Sequence, residues 1–268
     1  MVLHLKTVEE EQVEELAYKA RNIDVKFVFQ ESTNGGQVDY EICPKPEPMS
    51  RFFPDKMKQH GINKDEKKMI ALDALTNTSI KSCMPFTDAM RTGFGIPLWH
   101  DIFIKNETAF DQTALDNYTH VKTDDGLYSL SMHYKNQISD TTLNTQHLPN
   151  KISKLNNPWR IITPKGWSCL FVAPFSRDDI PIKCLTGVVD TDTYTISAKF
   201  PFLVDKDFIG TVKYGTLIMQ VIPFERVNSN LTYNYMTEEE FKDGQEAESL
   251  MRRRRKHFYR DNYRSKKR

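Results

Sequence analysis

Glycine is scarce in this chain, with 11 among 268 residues. Long glycine-rich loops are excluded, and neither GxGxxG nor GxxxxGK occurs. The sequence therefore offers no glycine cradle for the phosphates of a nucleotide. Long apolar runs are missing as well. None approaches the ~20 residues needed to span a bilayer, so no membrane association is expected. The opening stretch, MVLHLKTVEEEQVEELAYKA, turns acidic after its first turn and does not read as a signal peptide. Cysteine is limited to Cys43, Cys83, Cys169 and Cys184. None forms a CxxC, and no histidine stands at a zinc-type spacing from any of them. Free thiols in a reducing compartment are expected, with no metal and no cofactor. Without a secretion signal, the N-x-S/T sequons at Asn77, Asn106, Asn117 and Asn230 carry no weight.

What is present suits a globular protein with a real core: 39% hydrophobic and 27% charged residues. Aromatics are plentiful, at 16 Phe, 11 Tyr and 3 Trp. The net charge of +1 conceals an asymmetry. Residues 252–268, RRRRKHFYRDNYRSKKR, carry +9, which leaves the preceding body at −8.

Hydrophobic periodicity divides the chain into three. Residues 1–80 read as a mixed, irregular arm. VEEEQVEELAYKA (8–20) has helical spacing, VKFVFQ (25–30) alternates as a strand, and KDEKKMIALDAL (64–75) suggests a second helix. Four prolines between 44 and 54 forbid regular helix or central strand there. Residues 81–225 read as a β core. GIPLWHDIFI (95–104) is a strand broken by Pro97, and LYSLSMHY (127–134) alternates cleanly. WRIITP, WSCLFVAPF, IKCLTGVV, DTYTISAKF, DFIGTVKY and TLIMQVIPF follow, with turn residues between most of them. Short strands at regular intervals predict a mainly β fold with an α+β cast, a β-sandwich or closed barrel. Residues 226–268 form a helical tail, acidic then basic. Thr237 is placed to cap it, with Glu240 three residues on.

Two stretches, IKSCMPFTDAMRTGFGIPLWHDIFI (80–104) and WRIITPKGWSCLFVAPF (159–175), resemble a family of uncharacterised proteins of tailed phages, many of them marine. A more distant likeness covers residues 163–226. TPKGWSCLFVAPFSR, GVVDTDTY and KYGTLIMQVIPFE follow the order of segments in the dUTPase and dCTP deaminase superfamily. That resemblance implies a dUTPase-like barrel, a homo-oligomer that is a trimer by analogy, and an acid in a hairpin at Asp190. The chain departs from the pattern in two ways. Three residues separate Asp190 from Tyr194 where the family has two, and such a slip turns the ring to the opposite face unless a bulge absorbs it. The family's glycine-rich closing segment has no counterpart, since only Gly244 follows residue 226.

Asp190 is the candidate catalytic residue, a base for water activation. In the alternative reading, Asp190 and Asp192 bond turn amides. Tyr194 is a candidate base-stacking platform, and Ser176 and Arg177 stand where a phosphate-contacting pair would lie. His100 and Asp101 are adjacent on a strand and point to opposite faces, so they cannot chelate one ion. His120 and His133 could join such a site only through folding. Arg252, Arg253, Arg254, Arg255 and Lys256, with Phe258, Tyr259 and Tyr263 nearby, mix charge and aromatic rings. Such a tail suits nucleic acid or the acidic body of a neighbouring subunit.

The expectation is a phage protein with a non-enzymatic structural or interaction role. It would be an oligomeric β core, a virion accessory component that meets other phage structural proteins, found in the virion or the host cytoplasm. The alternatives are a dUTPase-like nucleotide-binding or hydrolysing enzyme, and a nucleic-acid-binding accessory protein acting through the tail.

Overall fold

The computed structural model describes residues 22–30, 40–58, 80–104, 130–134, 151–205, 208–254 and 258–264. The helices expected at 8–20 and 64–75 lie outside these residues, as do His120, Arg255 and Lys256. The described chain is mainly β, with several antiparallel sheets and few helices.

The longest strand organises the larger sheet. Leu217–Glu225 (β13), LIMQVIPFE, is buried along its first five residues, as a strand covered on both faces must be. It lies between Trp167–Val172 (β8) and Phe94–Pro97 (β3), with a register shift between Leu217 and Met219. Gly187–Val189 (β10) and Glu47–Pro48 (β2) form the two edges. The break expected at Pro97 is real: β3 ends there, and Ile102–Ile104 (β4) leaves to pair with Gly210–Val212 (β12).

A second sheet runs Leu130–Tyr134 (β5), Lys151–Asn156 (β6), Lys199–Val204 (β11), Ile182–Cys184 (β9). Phe200 and Phe202 are two apart on β11, share a face and are both buried. Phe200 meets Phe171 of the larger sheet with ring centroids 5.7 Å apart. One buried cluster includes residues of both sheets, among them Ile96, Leu155, Ile182, Ile218 and Met219.

Two pieces of the stretch read as an N-terminal arm join the β structure. Lys26–Phe29 (β1) pairs with Trp159–Ile162 (β7), and β2 pairs with β3. Phe29 packs edge-on against Trp159 at 5.3 Å.

The strand expected across DTYTISAKF is a correction. Residues 191–193 form a turn, irregular chain follows, and β11 begins only at Lys199. Strands β10 and β11 then enter different sheets, so GVVDTDTY does not open a hairpin. The reason is local. The Asp190 carbonyl accepts the N–H groups of both Thr193 (3.0 Å) and Tyr194 (2.9 Å), which curls the chain away from its own strand.

The short helix Asp55–Lys58 (α1) comes first; helix Met84–Ala89 (α2) is anchored to the larger sheet by Gln220, which is fully buried in β13. Its Nε2 donates to the carbonyls of Ala89 and Thr92, each at 2.8 Å, and its Oε1 accepts the Phe175 N–H at 3.1 Å.

After β13 the chain has no regular structure from 226 to 237, then forms the helix Glu238–Arg254 (α3). The expected cap is present. Thr237 Oγ accepts the Glu240 N–H at 3.2 Å, and the Glu240 carboxylate accepts the Thr237 N–H at 2.7 Å. A short helix, Phe258–Asn262 (α4), ends near the body. There Arg264 grips Asp88 of α2 with two hydrogen bonds of 2.9 and 2.7 Å. The longest described helix, α3, is polar, and no described helix is long and apolar enough to cross a membrane.

Candidate functional site

The two aspartates of the 190–192 turn sit beside the first residues of β8, because Val189 of β10 pairs with Cys169. Their environments differ. The Asp190 side chain is 59% exposed; that of Asp192 is 4% exposed. Asp192 accepts the Gly166 N–H at 2.8 Å and hydrogen bonds from both terminal nitrogens of Arg226, that from Nη1 at 2.9 Å. Arg226 immediately follows β13, and β13 is the partner of β8, so strand pairing delivers the guanidinium to this spot. Its hydrogen bonds, with that of Gly166, hold the Asp192 carboxyl down at about 2.

Arg226 does more than neutralise one acid. Its Nη1 also donates to Ser168 Oγ at 2.8 Å and to the Trp167 carbonyl at 3.0 Å, and stands 3.3 Å from Asp190. Ser168 Oγ in turn donates to Asp190 at 2.6 Å. The backbone closes the same junction, with the Arg226 N–H on the Gly166 carbonyl at 2.8 Å. Beneath it, the hydroxyls of Thr163 and Thr191 share a hydrogen bond of 2.7 Å. Thr191 also donates to Cys169 Sγ at 3.4 Å. Burial raises the Cys169 thiol and keeps it protonated at neutral pH. The result is a fixed knot of charges that ties the end of β13, the start of β8 and two turns together.

As a reactive site the arrangement is constrained. Asp192 is committed to Arg226 and Gly166. Asp190 is open to solvent on one side, and its other side faces Ser168 and Arg226. The exposed carboxylate is the only one of the pair that a water or ligand can approach.

The other sequence-derived candidates do not converge here within one chain. Ser176 and Arg177 follow the far end of β8. Ser176 adopts a left-handed backbone, φ 57°. Arg177 is held by Asp179 through bonds of 2.7 and 3.0 Å and donates to the Phe52 carbonyl at 3.3 Å. Tyr194 is 40% exposed and is fixed through its backbone N–H rather than its ring. Asp101 accepts Lys213 Nζ and the Tyr214 N–H, each at 2.7 Å, and its carboxyl is lowered by those bonds. Among the described residues no group of three His, Cys, Asp or Glu could hold a metal. On the tail, Arg252 pairs with Glu248 at 3.2 Å and Arg253 donates to Ser249 Oγ at 2.9 Å. Arg254 closes α3.

Sequence reasoning passed over Arg226 and Ser168. The available signal was a charged residue directly after the longest apolar strand, in a chain whose DTD turn needed a cation.

The depressed Asp192 carboxyl has a defined pH consequence. Its folded value lies below the unfolded one, near 4. Its stabilising contribution is therefore complete above about pH 4 and is lost as pH falls toward 2. Trp167, whose carbonyl accepts Arg226, serves as the reporter. Its fluorescence should change between about pH 4 and 2 in the intact protein, and Arg226→Gln should abolish most of that change. Identical acid titrations for the two proteins would show that the knot contributes nothing.

Comparison with known proteins finds no matching family model, no matching curated protein and no matching solved structure.

Proposed function

We propose that this chain is a phage protein with a non-enzymatic structural role. Its β core, a β-sandwich or dUTPase-like barrel, would form a homo-oligomer and serve as an accessory component of a virion. The observation that carries this reading is the C-terminal arm. Every residue from Glu225 to Glu246 is exposed, including Val227, Leu231, Tyr233, Tyr235, Met236 and Phe241. Large apolar side chains crowded into one projecting segment are what a binding partner covers.

Two further points support it. The resemblance to tailed-phage proteins across residues 80–104 and 159–175 supplies the setting. The commitment of Asp192 to Arg226, and the separation of Ser176 and Arg177 from Asp190, weaken the hydrolase alternative. Other phage structural proteins are the proposed partners beyond its own copies, and the virion or the host cytoplasm its location.

Mass spectrometry of purified phage particles carrying this gene tests the proposal, with the chain expected at a fixed stoichiometry. Purified protein is expected to leave dUTP and dCTP unhydrolysed. Robust turnover that disappears in Asp190→Asn would overturn the structural reading and promote the enzyme.

A further inference from the structure

Helix α3 presents a problem of stability. It has 17 residues, EEEFKDGQEAESLMRRR, and almost all of it is exposed. An isolated helix of this length is marginal in water, and Gly244 in its middle costs a further ~1 kcal/mol relative to alanine. The capping box offsets part of this. Phe241, Gly244, Ala247 and Met251 recur at spacings of three and four, so they line one face of the helix. Phe241 and Met251 are both more than half exposed. A seam of this kind needs something laid against it.

The charge pattern says what. The first eleven residues of α3 hold six acids against Lys242, and the last three are arginines. Nucleic acid would meet the acidic half unfavourably. The acidic body of the protein would meet only the basic end favourably. A second α3 running antiparallel satisfies both halves at once. A two-fold axis near the helix centre sets each acidic first half against the other's arginines, as an isologous interface requires. The small residues Gly244 and Ala247 near that centre let the backbones approach closely.

We infer that α3 is a homotypic association helix, pairing antiparallel with α3 of a second copy of this chain. The inference rests on the homo-oligomeric reading above and names the surface that makes the contact. The seam is short and the ion pairs are exposed, and such pairs contribute little each. The association is therefore weak and salt-sensitive. The dimer dissociation constant should rise at least about tenfold between 50 and 500 mM NaCl.

A charge exchange tests the idea on the full-length chain. One variant carries Arg252→Glu, Arg253→Glu and Arg254→Glu. The other carries Glu238→Arg, Glu239→Arg and Glu240→Arg. Each alone sets like charges opposite one another and should lose association through α3 in sedimentation equilibrium at low salt. Mixed, the two are complementary and should form a heterodimer, with a gain in helical ellipticity. The substitutions lie outside the core, so unchanged thermal unfolding of the body would exclude its misfolding as the cause, and Glu240→Ala, which removes the cap bond without reversing a charge, would separate fraying of α3 from charge reversal. Variants that keep the intact protein's assembly, or fail to pair when mixed, would overturn the inference while leaving an oligomer built by the β core in place. An intact protein that stays monomeric at high concentration and low salt would overturn both.

Discussion

Gly93→Ala is expected to destabilise the protein by roughly 3–5 kcal/mol, enough to leave much of it unfolded or insoluble. Gly93 has φ +77°, a left-handed conformation, and that alone costs an alanine about 1 kcal/mol. Space is the larger obstacle. An added Cβ would lie 2.1 Å from the Val221 carbonyl oxygen, 3.0 Å from its carbon and 3.2 Å from Ile222 Cα. These are backbone atoms of β13, which cannot swing aside like the end of a side chain. Relief requires β3 to lift from β13, and the Gly93 carbonyl, which accepts the Met49 N–H at 2.9 Å, would move with it. Gly187→Ala is the matched control. Nothing lies within 4 Å of its Cβ position, and its denaturation midpoint should barely change. Urea midpoints that coincide for the two variants would refute the close approach of β3 to β13.

Gln220→Leu is expected to cost about 3 kcal/mol, because a leucine of similar volume takes from the Phe175 N–H and the Thr92 carbonyl the bonds that Gln220 gives them, and leaves the Ala89 carbonyl with only the long bond from the Thr92 N–H at 3.4 Å. The three groups belong to separate segments: Phe175 after β8, Ala89 at the end of α2, and Thr92 in the turn beyond. Loss should therefore loosen α2 before it melts the sheets. Hydrogen exchange of amides at 84–92 should speed up more than that of β8 or β13. Gln220→Glu should be worse at neutral pH, since a carboxylate would face two carbonyl oxygens. Its deficit should shrink as pH falls and the acid protonates, because the folded state raises that carboxyl's pKa. A Gln220→Leu protein with intact stability would show that these hydrogen bonds do not anchor α2.

Much of the β structure was legible in the sequence because strand period and turn residues are local signals. Pro97 marked the change from β3 to β4, and the Thr237–Glu240 pair marked the start of α3. Three things were not legible. The sheet membership of β10 and β11 depends on which distant strands they meet, and no periodicity encodes that. The curl after Asp190 arises from one carbonyl taking two N–H groups, a choice that the letters DTDTY leave open. The ion-pair knot joins residues 166–168, 190–192 and 226, so Arg226 acquires its role only when β13 pairs with β8. Sequence singled out Asp190, yet Asp192 is the buried acid of the pair. In the alternative reading both bond turn amides; Asp192 does bond one, at Gly166 of a different turn, whereas Asp190 accepts the Ser168 hydroxyl.

The grip of Arg264 on Asp88 closes a ring of chain that begins where β13 ends. Closing a flexible loop of about 38 residues costs roughly 3 kcal/mol of entropy, somewhat less where α3 stiffens it. A partly buried bidentate ion pair returns a similar amount. Closure and opening are thus nearly balanced. An Arg264 arriving from a neighbouring copy makes the same bonds without closing any ring. Effective concentration then decides which tail occupies Asp88. In dilute solution each tail would divide its time between bound and free; were copies held side by side as proposed above, a neighbour's tail would compete for Asp88 and link copies without a single new contact.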